Sequence, residues 1–520
     1  MASLIDSNER KLIPAWKNLN SSLHELRPLR SSELTKGNID SYIFEWKNNC
    51  NIGNAADLLT AAIINNRTNE EPVKEAAIYI LNSGLDVKLP VMTSAQKIAE
   101  INSIEPMTTA QNIHLYSQIA NHKQFLIKHP QDALAHILIA RCYLLLGQIE
   151  KAEIHVRIAL YFDHNNRYVV RCASRFFIHV GHPDEALHIL RASSLSKIDP
   201  WLMASEISVS QLLDKSSPNL KRSQKLLDSH NFSLFDETEL SAALATQELL
   251  CGSYNKSRKL FNHSLLCPNS NSLAQAKWMV NKEKLVLDFQ NVDMLSGQFL
   301  EAKSYNEFTA ENYQSAFDFA KQWLRIEPYS TRTILYSYGI AVNQLKNYQE
   351  AQRIMSDAIQ THRNNPTFMN NYAYALALDG KIIEADALLS TIKLKQNPTE
   401  AADICLMATH GLIEFRKGNF KEGVEAYKIA ILQSKEVNDA FLNHSAILNY
   451  CREVLMISTD KETKEYVSSL LNKIPDLDNN KDLIHLKKDI EILLKEHTAK
   501  TNSITFDPFC YKLQDNNLSI

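Results

Sequence analysis

Residues 133–165 read ALAHILIARCYLLLGQIEKAEIHVRIALYFDHN, and this stretch decides the fold. An apolar segment is followed by Gly147 and then by a second segment, which places Ala152, Val156 and Ala159 at helical spacing. Glycine commonly ends a helix because it adopts the left-handed backbone conformation at little cost. The stretch therefore predicts two helices joined by a turn at Gly147.

The same pattern recurs about every 34 residues. A shift of 34 residues aligns the first copy with RYVVRCASRFFIHVGHPDEALHILRAS at residues 167–193, and further copies surround residues 252, 313, 348, 380 and 418. The interval between Gly181 and Gly252 leaves room for one more copy, WLMASEISVSQLLDK with NLKRSQKLLDSH, and SLAQAKWMVNKEKLVLDF predicts an extra helix. Since one helix pair cannot bury its apolar stripe alone, the copies are expected to stack.

Glycine is scarce in this chain, with 12 residues in 520. Phosphate loops, dinucleotide folds and nucleophile elbows all need glycines at fixed positions, and none of their motifs occurs. We expect seven of the 12 to serve repeat geometry. Five are predicted at turns and two at close approaches between helices: Gly147, Gly181, Gly252, Gly380 and Gly418, then Gly339 and Gly411.

The repeated small and aromatic residues resemble those of the tetratricopeptide repeat family over residues 133–437. The resemblance implies an all-α fold, a right-handed superhelical α-solenoid of tetratricopeptide-type helix hairpins with helical N- and C-terminal caps. In it, small residues such as Ala152, Ala186, Ala351 and Ala385 let paired helices approach closely.

Four regions are predicted along the chain. Residues 1–130 have helical patterning without a clear repeat, and two interpretations stay open: degenerate repeats that form a cap, or a distinct partner-binding domain. Residues 131–437 form the solenoid, residues 438–499 form C-terminal capping helices, and residues 500–520 form an aromatic tail that either folds back or docks into another protein.

Charge and composition exclude several classes of function. Lys and Arg total 56 against 59 Asp and Glu, with no long run of one sign, so we expect no nucleic-acid partner. The eight cysteines form no CxxC pair, and the histidines have no ligand spacing, so we expect no metal and no cofactor. The charged start of the chain and the absence of a long apolar run predict no membrane segment and a cytoplasmic location.

Candidate binding residues lie on the first helix of each pair, which the resemblance places on the concave surface. There Arg141, Arg171 and Arg175 are expected to meet, and three guanidinium groups suit a carboxylate or a phosphate. The alternative is that these arginines pair with neighbouring acids. If they do not, the partner is expected to be acidic near these first repeats.

A second set of candidates lies later in the array. Its members are expected to line the same surface, where asparagine amides hold an extended peptide backbone by donating and accepting at once. The set comprises Tyr336, Asn343, Asn370, Asn371 and Tyr374. Ile137 and Cys172 stand where the family's clamp for a terminal carboxylate needs polar residues, which argues against that specialised role.

Three functions remain open at this stage. The first is a non-enzymatic scaffold that binds a peptide or protein segment in its groove, with self-association as a further option. The second is a regulatory sensor whose repeat array binds a small peptide or ligand and switches an effector protein. The third is an enzyme within residues 1–130, for which no catalytic motif is present.

Overall fold

The structure is a computed structural model of the 520-residue chain. It describes residues 39–82 and 109–495 except for 65–66, 69, 284, 290–298, 363–364, 393, 396–397, 399, 459, 475–476 and 478–479, and it also describes 10, 12–13, 16, 91, 94–95 and 98–99. The tail predicted at residues 500–520 lies outside these residues.

The predicted all-α fold class is confirmed. The described part of the chain contains 24 α-helices and no strand, and 79% of the structure is helical. The first 14 helices are α1 (Ile39–Asn48), α2 (Ile52–Ile64), α3 (Glu71–Asn82), α4 (Thr109–Lys128), α5 (Ala133–Leu145), α6 (Ile149–Phe162), α7 (Arg167–His179), α8 (Pro183–Ala192), α9 (Pro200–Leu212), α10 (Leu220–Asp228), α11 (Leu234–Leu250), α12 (Tyr254–Ser264), α13 (Ser270–Glu283) and α14 (Leu300–Thr309).

The remaining helices continue the same alternation. They are α15 (Tyr313–Ile326), α16 (Thr331–Gly339), α17 (Tyr348–Thr361), α18 (Pro366–Leu378), α19 (Ile382–Ser390), α20 (Ala401–Lys417), α21 (Phe420–Glu436), α22 (Ala440–Ile457), α23 (Lys461–Lys473) and α24 (Lys481–Lys495). The unrecognised copy forms α9 and α10, and the predicted extra helix is α13. Each tight pair, such as α5 with α6 or α20 with α21, packs as a hairpin.

Short polar side chains start the first helix of most hairpins. Asp132 accepts a hydrogen bond from the backbone N–H of Ala135 at 2.7 Å, and Asp199 accepts from Trp201 at 2.9 Å. Such N-caps satisfy backbone donors that have no partner within the helix. The same cap is formed by Asn166, Ser233, Asn365 and Asp439.

The turns between paired helices use a left-handed residue, as predicted for five glycines. Gly147, Gly181, Gly252, Gly380 and Gly418 have φ values between 67° and 89°. Where a copy has no glycine at this place, another residue takes the same conformation: Asp214 at 52°, Glu311 at 64° and Lys346 at 54°. The turn geometry is therefore more regular than the glycine pattern in the sequence.

Small residues lie where paired helices approach closely. Ala152, Ala186, Ala351 and Ala385 are fully buried, as expected. At Gly411 of α20, an added Cβ would lie 2.9 Å from a ring carbon of Tyr427 and 3.1 Å from the carbonyl oxygen of Gly423. This contact requires glycine.

The first helix of the hairpin formed by α16 and α17 continues into a π-turn. Residues 340–344 follow α16 in π-helical conformation, and the N–H of Leu345 bonds the carbonyl of Ile340 at 3.0 Å. A π-turn accommodates one extra residue within a helical run. This explains why Tyr313 and Tyr348 are 35 residues apart in a repeat of about 34, and it re-aims Asn343 and Gln344.

The helices form two compact units. As far as the described residues extend, the N-terminal unit lies within Glu9–Ala310 and the C-terminal unit within Glu311–Ile520. Within the first, α1–α3 bury a core of their own that includes Trp46, Leu58 and Ile80. The domain boundaries expected at residues 130, 437 and 499 stay predictions.

In the part of the chain that the structure describes, none of the helices combines the length and the hydrophobicity needed to cross a bilayer.

Candidate functional site

A segment from the start of the chain lies on the N-terminal unit. The guanidinium of Arg10 donates to both carboxylate oxygens of Glu301, at 2.9 and 3.1 Å. It also donates to the side-chain oxygens of Gln275 at 2.7 Å and Asn271 at 2.9 Å. The Arg10 side chain is 2% exposed, so α13 and α14 form a closed acidic and amide pocket for one basic residue.

The same segment is anchored by two apolar side chains. Leu12 belongs to the core cluster that contains Met203 and Leu240. Trp16 is fully buried and meets Phe176 edge to face, with ring centroids 6.3 Å apart. We call the surface formed by Asn271, Gln275, Glu301, Phe176 and Arg141 the segment site.

Arg141, the first of the predicted arginines, belongs to this segment site. Its Nε donates to the carbonyl oxygen of Trp16 at 3.4 Å, a long hydrogen bond. Arg141 therefore contacts a backbone carbonyl of its own chain and not a carboxylate, and its role in binding a partner stays a prediction.

Arg171, the second predicted arginine, is engaged within the unit. Two of its nitrogens donate to the carboxylate of Glu239 at 2.9 and 3.1 Å, and its guanidinium lies 4.7 Å from the ring centroid of Trp201. Arg175, the third, is half-buried on the same helix, α7. The structure thus places Arg171 in the alternative arrangement, paired with a neighbouring acid.

A buried ionic network surrounds Arg171. The fully buried Arg167 donates to Asp199 at 2.7 Å and to Asp236 at 2.9 Å. Burial works to raise the pKa of Glu239, but the charge and hydrogen bonds of Arg171 outweigh it, so that the pKa lies below its ordinary value. The network joins helices α7, α9 and α11.

In the C-terminal unit, helix α24 lies on helices that are each the first of a hairpin. Helix α24 packs against α22 and against the π-turn. Gln344 donates to Asp482 at 2.8 Å, Lys346 to Asp489 at 2.5 Å, and the Tyr313 hydroxyl pairs with His485 at 3.0 Å. We call the surface formed by Tyr313, the π-turn, Lys346 and α22 the helix site.

A small polar pocket lies beneath α24. Its polar lining includes Asn343, Lys346, Tyr374, Asn449, Arg452 and Asp482. The Tyr374 hydroxyl donates to Asn449 at 2.7 Å and accepts from Arg452 at 3.2 Å. Burial raises the pKa of Asp482 to about 6, while the hydrogen bond from Gln344 and the charge of Lys346 limit the rise.

The second set of predicted groove residues is divided between this pocket and the core. Asn343 and Tyr374 line the pocket. Tyr336, Asn370 and Asn371 are buried, with Tyr336 against Trp323 at 6.1 Å. Asn370 donates to the Asn371 side chain at 3.2 Å, and the Asn371 backbone carbonyl accepts from Tyr338 at 2.7 Å. These three side chains therefore contribute to packing between helices.

Several residues of both sites escaped the sequence analysis. Glu301, Gln275 and Asn271 lie outside the clear repeats, and Arg10 and Trp16 were not assigned a role. The available signal was an isolated pattern at the start of the chain, in which a basic residue precedes a leucine by two and a tryptophan by six positions. For α24, the signal was two aspartates seven residues apart.

Metal ligands are not clustered in the described residues. No cluster of three or more His, Cys, Asp or Glu side chains there has the geometry to hold a metal ion. Burial raises the pKa of Cys142 to about 11 and of Cys405 and Cys451 to about 12. These thiols stay protonated at neutral pH and are poor nucleophiles.

Comparisons with known proteins give only distant likenesses. No family model matches the chain, and no curated protein sequence does. Among solved structures, a human IFIT1 dimer with m7Gppp-AAAA is 14% identical, with 75% of this chain and 96% of that chain covered and a TM-score of 0.35. The yeast Tom70 is 12% identical, with 88% and 89% covered and a TM-score of 0.30. At these values the likenesses carry no information about function, and the tetratricopeptide family stays a resemblance.

Proposed function

We propose that the chain is a non-enzymatic scaffold that binds a segment of another protein at the segment site. One observation carries the proposal: the site already holds residues of this chain through a buried arginine, a buried leucine and a buried tryptophan. A surface that accommodates one such segment is suited to another of the same chemistry. Residues 10–16 then act as an internal occupant that a partner replaces.

The contacts of the internal segment define the partner sequence. Glu301, Gln275 and Asn271 offer only acceptors to Arg10, which favours an arginine with its fixed fork of donors. An apolar residue two positions later and an aromatic residue six positions later reproduce Leu12 and Trp16. The partner segment is thus basic at its first anchor, whereas the acidic partner expected for Arg141, Arg171 and Arg175 stays a prediction.

Replacement of the internal segment is energetically feasible. Fixing the backbone of each residue costs about 1–2 kcal/mol, which offsets much of what burial of Leu12 and Trp16 contributes. When the segment leaves, Glu301, Gln275 and Asn271 regain water and are not left desolvated. Covalent attachment, which gives an effective concentration on the order of mM for short linkers, therefore accounts for much of the occupancy.

A peptide-binding experiment tests the proposal. The full chain carrying Arg10→Ala and Trp16→Ala keeps the segment site intact and weakens its internal occupant. Fluorescence anisotropy should show that a fluorescein-labelled peptide of residues 7–19 binds this variant saturably. The peptide should bind the unmodified chain more weakly by a factor of about ten or more, because the attached segment competes for the site.

Two controls make the result specific. The same peptide with both substitutions should not bind, and Glu301→Gln in the receptor should weaken binding because the carboxylate that pairs with the arginine becomes a neutral amide. If the wild-type peptide does not bind the folded Arg10→Ala/Trp16→Ala chain, the segment is a fixed part of the core and the proposed function is wrong.

The internal segment also favours a regulated form of this function. A site that its own chain occupies exposes its partner-binding surface only after release, as a sensor requires. The sensor alternative therefore differs from the scaffold in one measurement: binding of the peptide of residues 7–19 would change an effector's activity and not only its location. The cytoplasmic location, the absence of a nucleic-acid partner and self-association stay predictions.

A further inference from the structure

The position of α24 differs from that of a terminal cap. A cap covers the exposed edge of the last hairpin, here α22 with α23. Instead, α24 packs along α22 and reaches the π-turn, so that Asp482 contacts Gln344, a residue 138 positions earlier. The helix thus lies across the first helices of several hairpins, where a bound ligand would lie.

Helix α24 contributes little to the hydrophobic core. Of its 15 residues, only Leu483 and Ile490 are buried, whereas 11 of the 18 residues of α22 are buried. Burying one leucine or isoleucine side chain contributes about 1.5–3 kcal/mol. Two such side chains hold α24 weakly compared with the hairpins beneath it.

The ion pairs of α24 are open to water. In the ion pair between Lys346 and Asp489 the side chains are 41% and 37% exposed, and in the pair between Lys481 and Glu311 they are 29% and 71% exposed. Exposed pairs of this kind contribute about 0–1 kcal/mol each. These ion pairs determine the register and the charge pattern of the helix that binds here more than they add to its affinity.

The pocket beneath α24 keeps an unused donor. Arg452 donates through Nε to Glu453 at 2.8 Å and through Nη1 to Tyr374 at 3.2 Å, but its buried Nη2 has no hydrogen-bond partner among the described residues. Asp482, the acidic residue of α24 that lines the same pocket, is held by Gln344 instead. A helix with a longer acidic side chain at this place would satisfy the pocket better than α24 does.

We propose that the helix site is a second interaction surface, which takes an amphipathic helix of a partner protein, and that α24 is its internal occupant. The partner helix carries two acidic residues seven positions apart, at the places of Asp482 and Asp489, each followed by an apolar residue at the places of Leu483 and Ile490. Residues seven apart lie on one face of a helix, so both acids meet Gln344 and Lys346 together. This surface is independent of the segment site.

Peptide binding to the full chain tests the helix site. Leu483→Ala with Ile490→Ala weakens the docking of α24 and leaves the site unchanged. A labelled peptide of residues 480–496 should bind this variant saturably. Its affinity for the variant should exceed its affinity for the unmodified chain by a factor of about ten or more. A peptide with glutamate in place of Asp482 should bind at least as tightly, since its carboxylate reaches further toward Arg452.

Spacing and charge provide the matched controls. A peptide in which Asp489 and Leu486 exchange places, so that the two aspartates are four residues apart, should not bind, and Lys346→Glu in the receptor should abolish binding of the original peptide. Failure of the original peptide to bind a variant whose circular dichroism is unchanged would overturn the proposal, because α24 would then be a fixed element of the fold.

Two further measurements keep the proposal open to contradiction. If the double alanine variant does not fold, Lys346→Glu in the otherwise unmodified chain should accelerate hydrogen exchange in α24 without changing exchange in α20; equal protection in both chains would contradict an exchangeable helix. If light scattering shows that the double alanine variant dimerises and added peptide does not reverse it, the surface serves a second copy and the partner-helix proposal is wrong.

Discussion

Arg171 illustrates how a residue predicted for ligand binding is used for stability. Its side chain is 10% exposed and that of Glu239 is 3% exposed, so neither charge is solvated without the other. Arg171→Met should lower the free energy of unfolding of the N-terminal unit by about 3–5 kcal/mol, because it leaves a buried carboxylate without its cation. Urea unfolding followed by circular dichroism measures this.

A double-mutant cycle with Glu239→Gln separates the ion pair from packing. Because removal of both charges leaves no buried ion unpaired, the double variant should recover much of the loss. Additive effects of the two substitutions would mean that the pair contributes no coupling energy.

His155 predicts a pH dependence of stability. Burial lowers its pKa to about 4, with further lowering from His136, whose Nδ1 lies 2.9 Å from its own, and from Lys123. Between pH 4 and the unfolded-state pKa of about 6.5, the unfolded chain binds more protons than the folded chain. The stability that neutral His155 contributes is therefore complete above about pH 6.5 and is lost as the pH falls toward 4.

The substitution His155→Gln should remove this dependence. Because glutamine does not titrate, the variant should gain stability relative to the unmodified chain as the pH falls from 7 to 4.5, while the difference stays constant above pH 7. Thermal unfolding across this range measures it, and parallel profiles for the two chains would refute a depressed pKa at His155.

At the scale of single elements, the left-handed turns predict opposite effects for two substitutions. Asp214 is exposed and adopts a φ of 52°, which costs an L-residue about 1–2 kcal/mol. Asp214→Gly should therefore raise the free energy of unfolding by up to about 1 kcal/mol after the backbone entropy of glycine is counted. Gly147→Ala, at a φ of 67°, should lower it by about the same amount.

The contact between α20 and α21 predicts a penalty for alanine in a helix. Alanine normally stabilises a helix interior by about 1 kcal/mol relative to glycine. In Gly411→Ala, however, the new Cβ must displace Tyr427 or separate the two helices, and such overpacking costs about 1–3 kcal/mol. Chemical denaturation should show a net loss of stability. The control, Gly53→Ala, meets only the side-chain oxygen of Asn51 and should be neutral or stabilising.

The elements were largely predictable because their signals are local. The spacing of Ala152, Val156 and Ala159 identified α6, and Gly147 identified the turn before it. Turns at Asp214 and Lys346 carried no glycine and escaped notice, although their geometry is the same. The π-turn could be inferred only as a repeat that was one residue too long.

At the scale of the whole molecule, both sites depend on contacts that no local pattern encodes. Arg10 and Glu301 are 291 residues apart, and Asp482 and Gln344 are 138 apart. Periodicity placed Arg171 on an inner helix but gave no indication of Glu239, 68 residues later, which pairs with it. The helices that build each site were thus predictable, whereas the chain segments that occupy the sites were not.

Hydrogen exchange should reveal the occupants as the least stable parts of the described chain. Amides in α24 should exchange faster than those in α20 and α22, because undocking of α24 breaks few buried contacts and leaves the hairpins folded. Mass spectrometry of peptic fragments measures this directly. Protection of α24 equal to that of α22 would mean that the C-terminal unit opens only as a whole.

The 291-residue separation between Arg10 and Glu301 also sets an order of events during synthesis. The ribosome makes Arg10 before Glu301, and at about 5–20 residues per second Glu301 follows roughly 15–60 s later. Throughout that interval the nascent chain presents the Arg10 guanidinium before the carboxylate that pairs with it has been made. Arg10 is therefore made long before it can reach its place, and until then it is open to other binding partners.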